Sequence, residues 1–188
     1  AKIPRKQAKN INLGLSYGMG KAKLVKELGL NDSEAEILLA QYHEKVPFIK
    51  GLQDQCARVA MDRGYIKTLA GRRCHFDLWE HKYDKSLPLP LEEAREKYGD
   101  VLRRSYTYKA LNRLIQGSAA DMTKLAMLGL WEEGIVPHVQ VHDEVDISIE
   151  DDEQAATVSR IMENCVELAV PLVVDTELGP NWGSTEEI

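Results

Sequence analysis

The sequence predicts an α+β fold, helical at its start and built later around short antiparallel hairpins. Three observations carry this. Helical apolar spacing, with start and stop signals, recurs through the first 63 residues. Residues 64–76 and 136–149 alternate about tight turns, as hairpins do. A long helical pattern over 103–131 lies between them, and no internal repeat is visible.

At 188 residues and 44% hydrophobic content, the chain can bury a real core. No apolar run matches a membrane span, and the first twenty residues are too charged for a secretory leader. A cytoplasmic location and no membrane partner are expected. Cys56, Cys74 and Cys165 show no paired spacing, which argues for reduced thiols and against a disulfide framework or cysteine metal site. The net charge of -6 conceals a gradient. Residues 1–75 carry +7, residues 76–131 carry +1 and residues 132–188 carry -14. A basic entry suits phosphate contact, and an acidic exit suits a metal or solvent.

Lys2 to Met19 reads as a helix, with Pro4 tolerated in its first turn. Arg5, Lys9, Leu13 and Tyr17 recur every four residues and so share one slowly drifting stripe. Two cations, a leucine and a tyrosine do not make a core stripe. They suit a ligand with phosphates at one end and flat rings at the other; a solvated basic helix is the plainer reading. A short helix over 21–29 stops at Gly29, and Asn31-Asp32-Ser33 caps the next, over 33–45. Pro47 opens a helix to Arg63, with Ile49, Leu52, Cys56, Val59 and Ala60 facing a core. Gly64 ends it.

The hairpin after Gly64 pairs Tyr65–Leu69 with Arg72–Phe76. Its cations, Arg72 among them, either track a phosphate backbone or keep an exposed edge soluble. Residues 77–102 read as an inserted loop with a short charged helix, because Leu87-Pro88-Leu89-Pro90 cannot lie inside a helix. In the long helix from Arg103 to Trp131, Tyr108, Asn112 and Gln116 again recur every four residues. Asn and Gln can read base edges with paired donor and acceptor; a polar helix face is the alternative. Gly117-Ser118-Ala119-Ala120 is small enough for close approach.

Residues 139–149 alternate almost perfectly, except that Asp143 falls in the apolar row. A buried, unpaired carboxylate there would be costly. A tight turn at His142-Asp143-Glu144 removes the conflict and places adjacent carboxylates at the lip of a sheet. They repel, so they ask for a cation, and magnesium prefers one or two carboxylates plus substrate phosphates. A phosphoryl-transfer metal site is one reading and a solvated acidic hairpin the other. A helix over 151–168, a strand at Leu172-Val173-Val174 and a closing turn at 179–182 complete the chain.

Arg5-x-x-x-Lys9-x-x-x-Leu13-x-x-x-Tyr17-Gly18 resembles motif B of family A DNA polymerases, the bacterial DNA polymerase I type and its phage relatives. Gln140-Val141-His142-Asp143-Glu144 resembles their motif C. Asn112-x-x-x-Gln116-Gly117-Ser118-Ala119-Ala120-Asp121, Gly64-Tyr65-x-x-Thr68-Leu69-x-Gly71-Arg72-Arg73 and Met162-Glu163-Asn164-Cys165 also match, in order, across essentially the whole chain.

The resemblance implies part of a right-hand polymerase, incomplete on its own: helical fingers over 1–63, and over 64–188 part of an antiparallel-sheet palm. It implies that Arg5 and Lys9 hold the triphosphate of an incoming dNTP, Lys9 also as proton donor to pyrophosphate. Leu13 would line the nucleotide site, and Tyr17 would sit where the templating base enters. His142 would contact the primer end, and Tyr108, Asn112, Gln116 and Arg72 would contact primer–template DNA. Asp143, supported by Glu144, would bind metal, with two Mg2+ ions clamping attack of the primer 3′-hydroxyl.

The chain departs from the pattern at Leu13, usually Phe or Tyr and a variant associated with phage enzymes, and at Tyr108, usually basic. The family's other catalytic aspartate, in motif A, lies upstream of motif B. The expected partner is therefore an N-terminal polypeptide carrying motif A, and the chain alone is expected to be inactive. Two other readings are a non-catalytic DNA-binding accessory subunit and a metal-dependent nuclease. The nuclease leaves the Arg5/Lys9/Tyr17 stripe unexplained.

Overall fold

Four helices open the chain: α1 (Arg5–Ser16), α2 (Lys21–Leu28), α3 (Asp32–Lys45) and α4 (Pro47–Arg63). The structure, a computed structural model, describes residues 5–187, so Lys2–Pro4 of the expected first helix lie outside the described residues. Packing divides the chain into two units, Ala1–Ile115 and Gln116–Ile188. Each is described by itself.

In the first unit, Leu15, Leu24 and Ala35 are buried together, with Ile11, Val25 and Leu39 around them. α1 stops at Ser16 rather than Met19. The Met19 amide donates to the Gly14 carbonyl (2.7 Å) and the Gly18 amide to the Leu15 carbonyl (3.1 Å), with Gly18 at φ +85°. This is the Schellman pattern, which needs a left-handed residue where glycine stands. α3 starts with a capping box: Asn31 Oδ1 accepts from the Glu34 amide and Glu34 Oε2 from the Asn31 amide, each at 2.9 Å.

α4 belongs to a second core, shared with the segments C-terminal to it. Cys56, Ala60, Ile66, Phe76, Ala110 and Leu111 are buried together. β1 (Tyr65–Lys67) and β2 (Arg73–His75) pair antiparallel, Tyr65 opposite His75 and Lys67 opposite Arg73. The strands are shorter than expected because the turn claims residues 68–72: the Thr68 amide donates to the Arg72 carbonyl, and Thr68 Oγ1 accepts from the Arg72 amide.

In the insertion over 77–102 the expected short charged helix is present, but the expected loop before it forms a small sheet. β3 (Leu78–His81) lies between β4 (Leu89–Pro90) and β5 (Leu102–Arg104), with α5 (Leu91–Tyr98) following β4. The long helix accordingly starts late. Residues 103 and 104, expected helical, pair with β3, Trp79 opposite Arg104 and Glu80 opposite Arg103. Arg103 closes on Glu80 at 2.8 Å and Ser105 Oγ donates to the same carboxylate at 2.8 Å. These partners lie more than twenty residues apart, so a local periodicity cannot reveal them. A 3-10 turn (Thr107–Lys109) leads into α6 (Ala110–Glu132).

Arg104 joins three of these elements. It donates to the carbonyls of Met61 (3.1 Å) and Phe76 (3.0 Å), and its guanidinium lies 4.4 Å from the Trp79 ring centroid. Gly64, at φ +78°, leaves room for it; a Cβ there would sit 2.8 Å from the guanidinium carbon. Arg104→Ala is expected to cost about 2–4 kcal/mol, from two charge-assisted hydrogen bonds and a cation–π contact. A lowered urea midpoint checks this. Arg104→Lys should recover only part, since an ammonium cannot stack and fork at once.

The second unit takes the rest of α6, β6 (Val139–Val141), β7 (Glu144–Asp146), α7 (Asp152–Glu163) and the short pair β8 (Glu177–Leu178) and β9 (Glu186–Glu187). Asp151 caps α7, accepting from the Gln154 amide at 2.8 Å. Three expectations are corrected here. α7 ends at Glu163, not Leu168. The hairpin strands do not fill 136–149. Leu172-Val173-Val174 forms no strand, and Val173 is 78% exposed. One physical reason covers the strand shortfalls. Among the described residues β6 and β7 have no third neighbour, and a strand without a partner leaves its amides to water.

Candidate active site

In the second unit, β6 and β7 are joined through His142 and Asp143, with Val141 opposite Glu144. The turn holds only these two residues, and Glu144 opens β7. His142 has φ +58° while Asp143 does not share a positive φ, the φ pattern of a type II′ hairpin turn, where glycine is usual. The Gln140 side-chain amide donates to the His142 carbonyl and holds the turn from inside its own hairpin. Such strain in a non-glycine residue costs about 1–3 kcal/mol and gathers at functional sites. His142→Gly is therefore expected to raise stability by about 0.5–1 kcal/mol, after the extra chain entropy of glycine is deducted. A raised urea midpoint would register it.

Asp143 and Glu144 are both exposed, and Glu144 Oε1 accepts from Trp182 Nε1 at 3.3 Å. They stand at the edge of an open groove of about 640 Å³ within this unit. Met122, Val158, Met162 and Val173 line it as well. Val139 and Val141, the apolar row of the hairpin, are 39% exposed each. From residue 132 onward the chain has fifteen acidic residues against Arg160 alone, so a cation is electrostatically welcome beside the turn. The donor set fits a hard divalent ion, which takes carboxylate oxygens. Among the described residues, no group of three or more His, Cys, Asp or Glu side chains converges to hold a metal. Asp143 and Glu144 thus offer a partial coordination shell.

In the first unit, α1 presents Arg5, Lys9 and Leu13 to solvent, Leu13 43% exposed, with Tyr17 half-buried just past the helix end. Ile11 and Leu15 take the core side. The outward face therefore carries cations toward the start of the helix and apolar and aromatic side chains toward its end. Two side chains that the sequence did not single out hold that end. Gln53 Nε2 donates to the carbonyls of Leu15 (3.0 Å) and Ser16 (2.9 Å). The Tyr42 hydroxyl meets Ser16 Oγ at 2.9 Å and donates to Asn12 Oδ1 at 3.3 Å. They lie more than twenty-five residues from their partners, and no local spacing signals them.

Tyr108 sits in the 3-10 turn, 61% exposed, and the Lys109 ammonium lies 5.7 Å from its ring centroid. A Cβ on Gly18 would lie 3.9 Å from the Tyr108 carbonyl, so the end of α1 and this turn are neighbours within the first unit. Asn112, on the first turn of α6, is half-buried, and Arg72 is exposed on the β1–β2 turn. Gln116 is exposed and belongs to the second unit, as do His142, Asp143 and Glu144.

The model of DNA polymerase family A matches residues 1–184, nearly the whole chain. The chain belongs to DNA polymerase family A. Within this family it is 38% identical to a DNA-directed DNA polymerase of Pseudomonas phage M6, over 97% of this chain and 30% of that protein. It is 34% identical to the thermostable DNA polymerase I of Thermus aquaticus, over 98% of this chain and 21% of that one. Among solved structures it resembles the POL domain of Pol1 from M. smegmatis in complex with DNA primer–template and dNTP. The TM-score is 0.68 at 28% identity, covering 89% of this chain and 28% of that one. The chain thus spans less than a third of these relatives, and its mixture of helices and small antiparallel sheets corresponds to part of a polymerase domain. No described helix is long and apolar enough to cross a membrane.

Proposed function

We propose that this chain forms the fingers, from motif B onward, and the motif C side of the palm of a DNA-directed DNA polymerase. The observation that carries the reading is that one family A sequence holds both a cationic-to-aromatic stripe on α1 and, in its second unit, a strained hairpin turn with adjacent carboxylates at Asp143 and Glu144. Arg5 and Lys9 bind the triphosphate of the incoming dNTP, and Lys9 protonates the departing pyrophosphate. Leu13 lines the nucleotide site beside its sugar, and Tyr17 stands where the templating base enters. His142 holds the primer end. Tyr108, Asn112, Gln116 and Arg72 contact primer–template DNA, where minor-groove acceptors vary little with sequence and so suit copying of any template. Asp143 and Glu144 would hold Mg2+, which when bound would offset negative charge developing on the transferring phosphate.

Two adjacent carboxylates on one hairpin do not complete a site for two ions. The remaining carboxylate is assigned to an upstream portion carrying motif A, whether in the same polypeptide or a separate one. The open groove beside β7, lined in part by residues 172–174, leaves room for a further strand there. Titrating the chain against a polypeptide spanning that upstream portion, in a primer-extension assay, tests the reading. Synthesis should rise to saturation at one-to-one stoichiometry. Robust synthesis by the chain alone would contradict it.

A further inference from the structure

α1 bears the nucleotide-facing stripe of the proposed site, and its last carbonyls take their partners from beyond the helix, that of Leu15 already accepting from the Gly18 amide. Those of Leu15 and Ser16 point at one side chain on α4. Gln53 Nε2 has two N–H groups, and each carbonyl lies within 3.0 Å of it. Tyr17 follows Ser16 directly and is the C-cap of the Schellman turn. Tyr42 of α3 ties the neighbouring turn through Ser16 and Asn12. The end of α1 is thereby fixed against two other helices.

We propose that Gln53 is a positioning residue, which by capping α1 sets the place of Tyr17 and Leu13 for the incoming nucleotide and its template base. The inference rests on the polymerase reading. A half-buried amide that donates to two carbonyls can be replaced in shape without being replaced in chemistry, and this makes its role separable. Methionine keeps the length and loses both donors. Glutamate keeps the shape and turns acceptors toward acceptors. Lysine keeps length and donation. If only packing mattered, methionine would serve as well as glutamine.

The test uses two readouts on the chain combined with its upstream portion. Amide hydrogen exchange at Tyr17 and Gly18 should quicken roughly tenfold in Gln53→Met, since local opening no longer breaks the cap. The KM for dNTP should rise roughly tenfold while kcat changes less than threefold, the pattern of a misplaced binding face rather than lost chemistry. Gln53→Glu should be at least as impaired, and Gln53→Lys should return KM to within about twofold of the unsubstituted value. An unchanged KM in Gln53→Met overturns the inference, and so does faster exchange with no change in KM, which would mark Gln53 as merely structural. An unsubstituted complex that makes no DNA at all would instead bring down the polymerase reading, and this inference with it.

Discussion

Asp143→Asn is expected to lower single-turnover primer extension by the combined polymerase by roughly three orders of magnitude or more, the scale seen when a charge-stabilising catalytic group is removed. The chain itself should not suffer. Asp143 is exposed at a turn, its neighbour is another carboxylate, and asparagine removes their repulsion while keeping the shape. Thermal stability should therefore hold or rise slightly, and primer–template affinity should change little. This dissociation separates the catalytic reading from a non-catalytic accessory role, under which synthesis by the complex would survive the substitution. Single-turnover extension alongside thermal melting measures both halves.

Lys9→Ala should lower kcat/KM for dNTP by roughly 10²–10⁴-fold, the range for loss of a positioned proton donor. Lys9 is exposed on α1, away from the core formed by Ile11, Leu15 and Leu24. Its removal should leave stability within about 0.5 kcal/mol, as for other surface positions. Lys9→Arg is the informative companion. A guanidinium keeps the positive charge toward the triphosphate but does not give up a proton in the relevant range. Nucleotide KM should then recover further than kcat. Equal recovery of both would show that Lys9 serves as a charge alone. Steady-state and rapid-quench kinetics on the same three proteins decide it.

The parts of this protein that its sequence announces are those whose causes are local. The capping box of Asn31 and Glu34 needs four consecutive residues. The left-handed cap at Gly18 needs a glycine after a helical pattern. The stripe of Arg5, Lys9, Leu13 and Tyr17 stands out because its spacing is helical and its residue types are wrong for a core. Asp143 betrays itself by breaking an alternation, and five motifs in register make the family recognisable.

The elements that stay hidden depend on distant partners. β5 reads as helix because nothing near Arg103 and Arg104 reveals that Glu80 and Trp79 lie beside them. Gln53 and Tyr42 read as unremarkable polar positions until α1 is seen to end against them. Leu172-Val173-Val174 shows the opposite failure. Its β-branched pattern is suited to a strand, but a strand exists only when a neighbour satisfies its backbone.

On the polymerase reading, Asp143 and Glu144 supply one part of a divalent-metal site that is completed upstream. Manganese titration followed by electron paramagnetic resonance tests it most directly, with primer–template DNA and a non-hydrolysable dNTP analogue present. Weak binding is expected of the chain alone, tight binding of two ions once the upstream portion is added, and loss of that tight binding in Asp143→Asn. Tight binding of two ions by the chain alone, or tight binding in the complex that ignores Asp143→Asn, would contradict it.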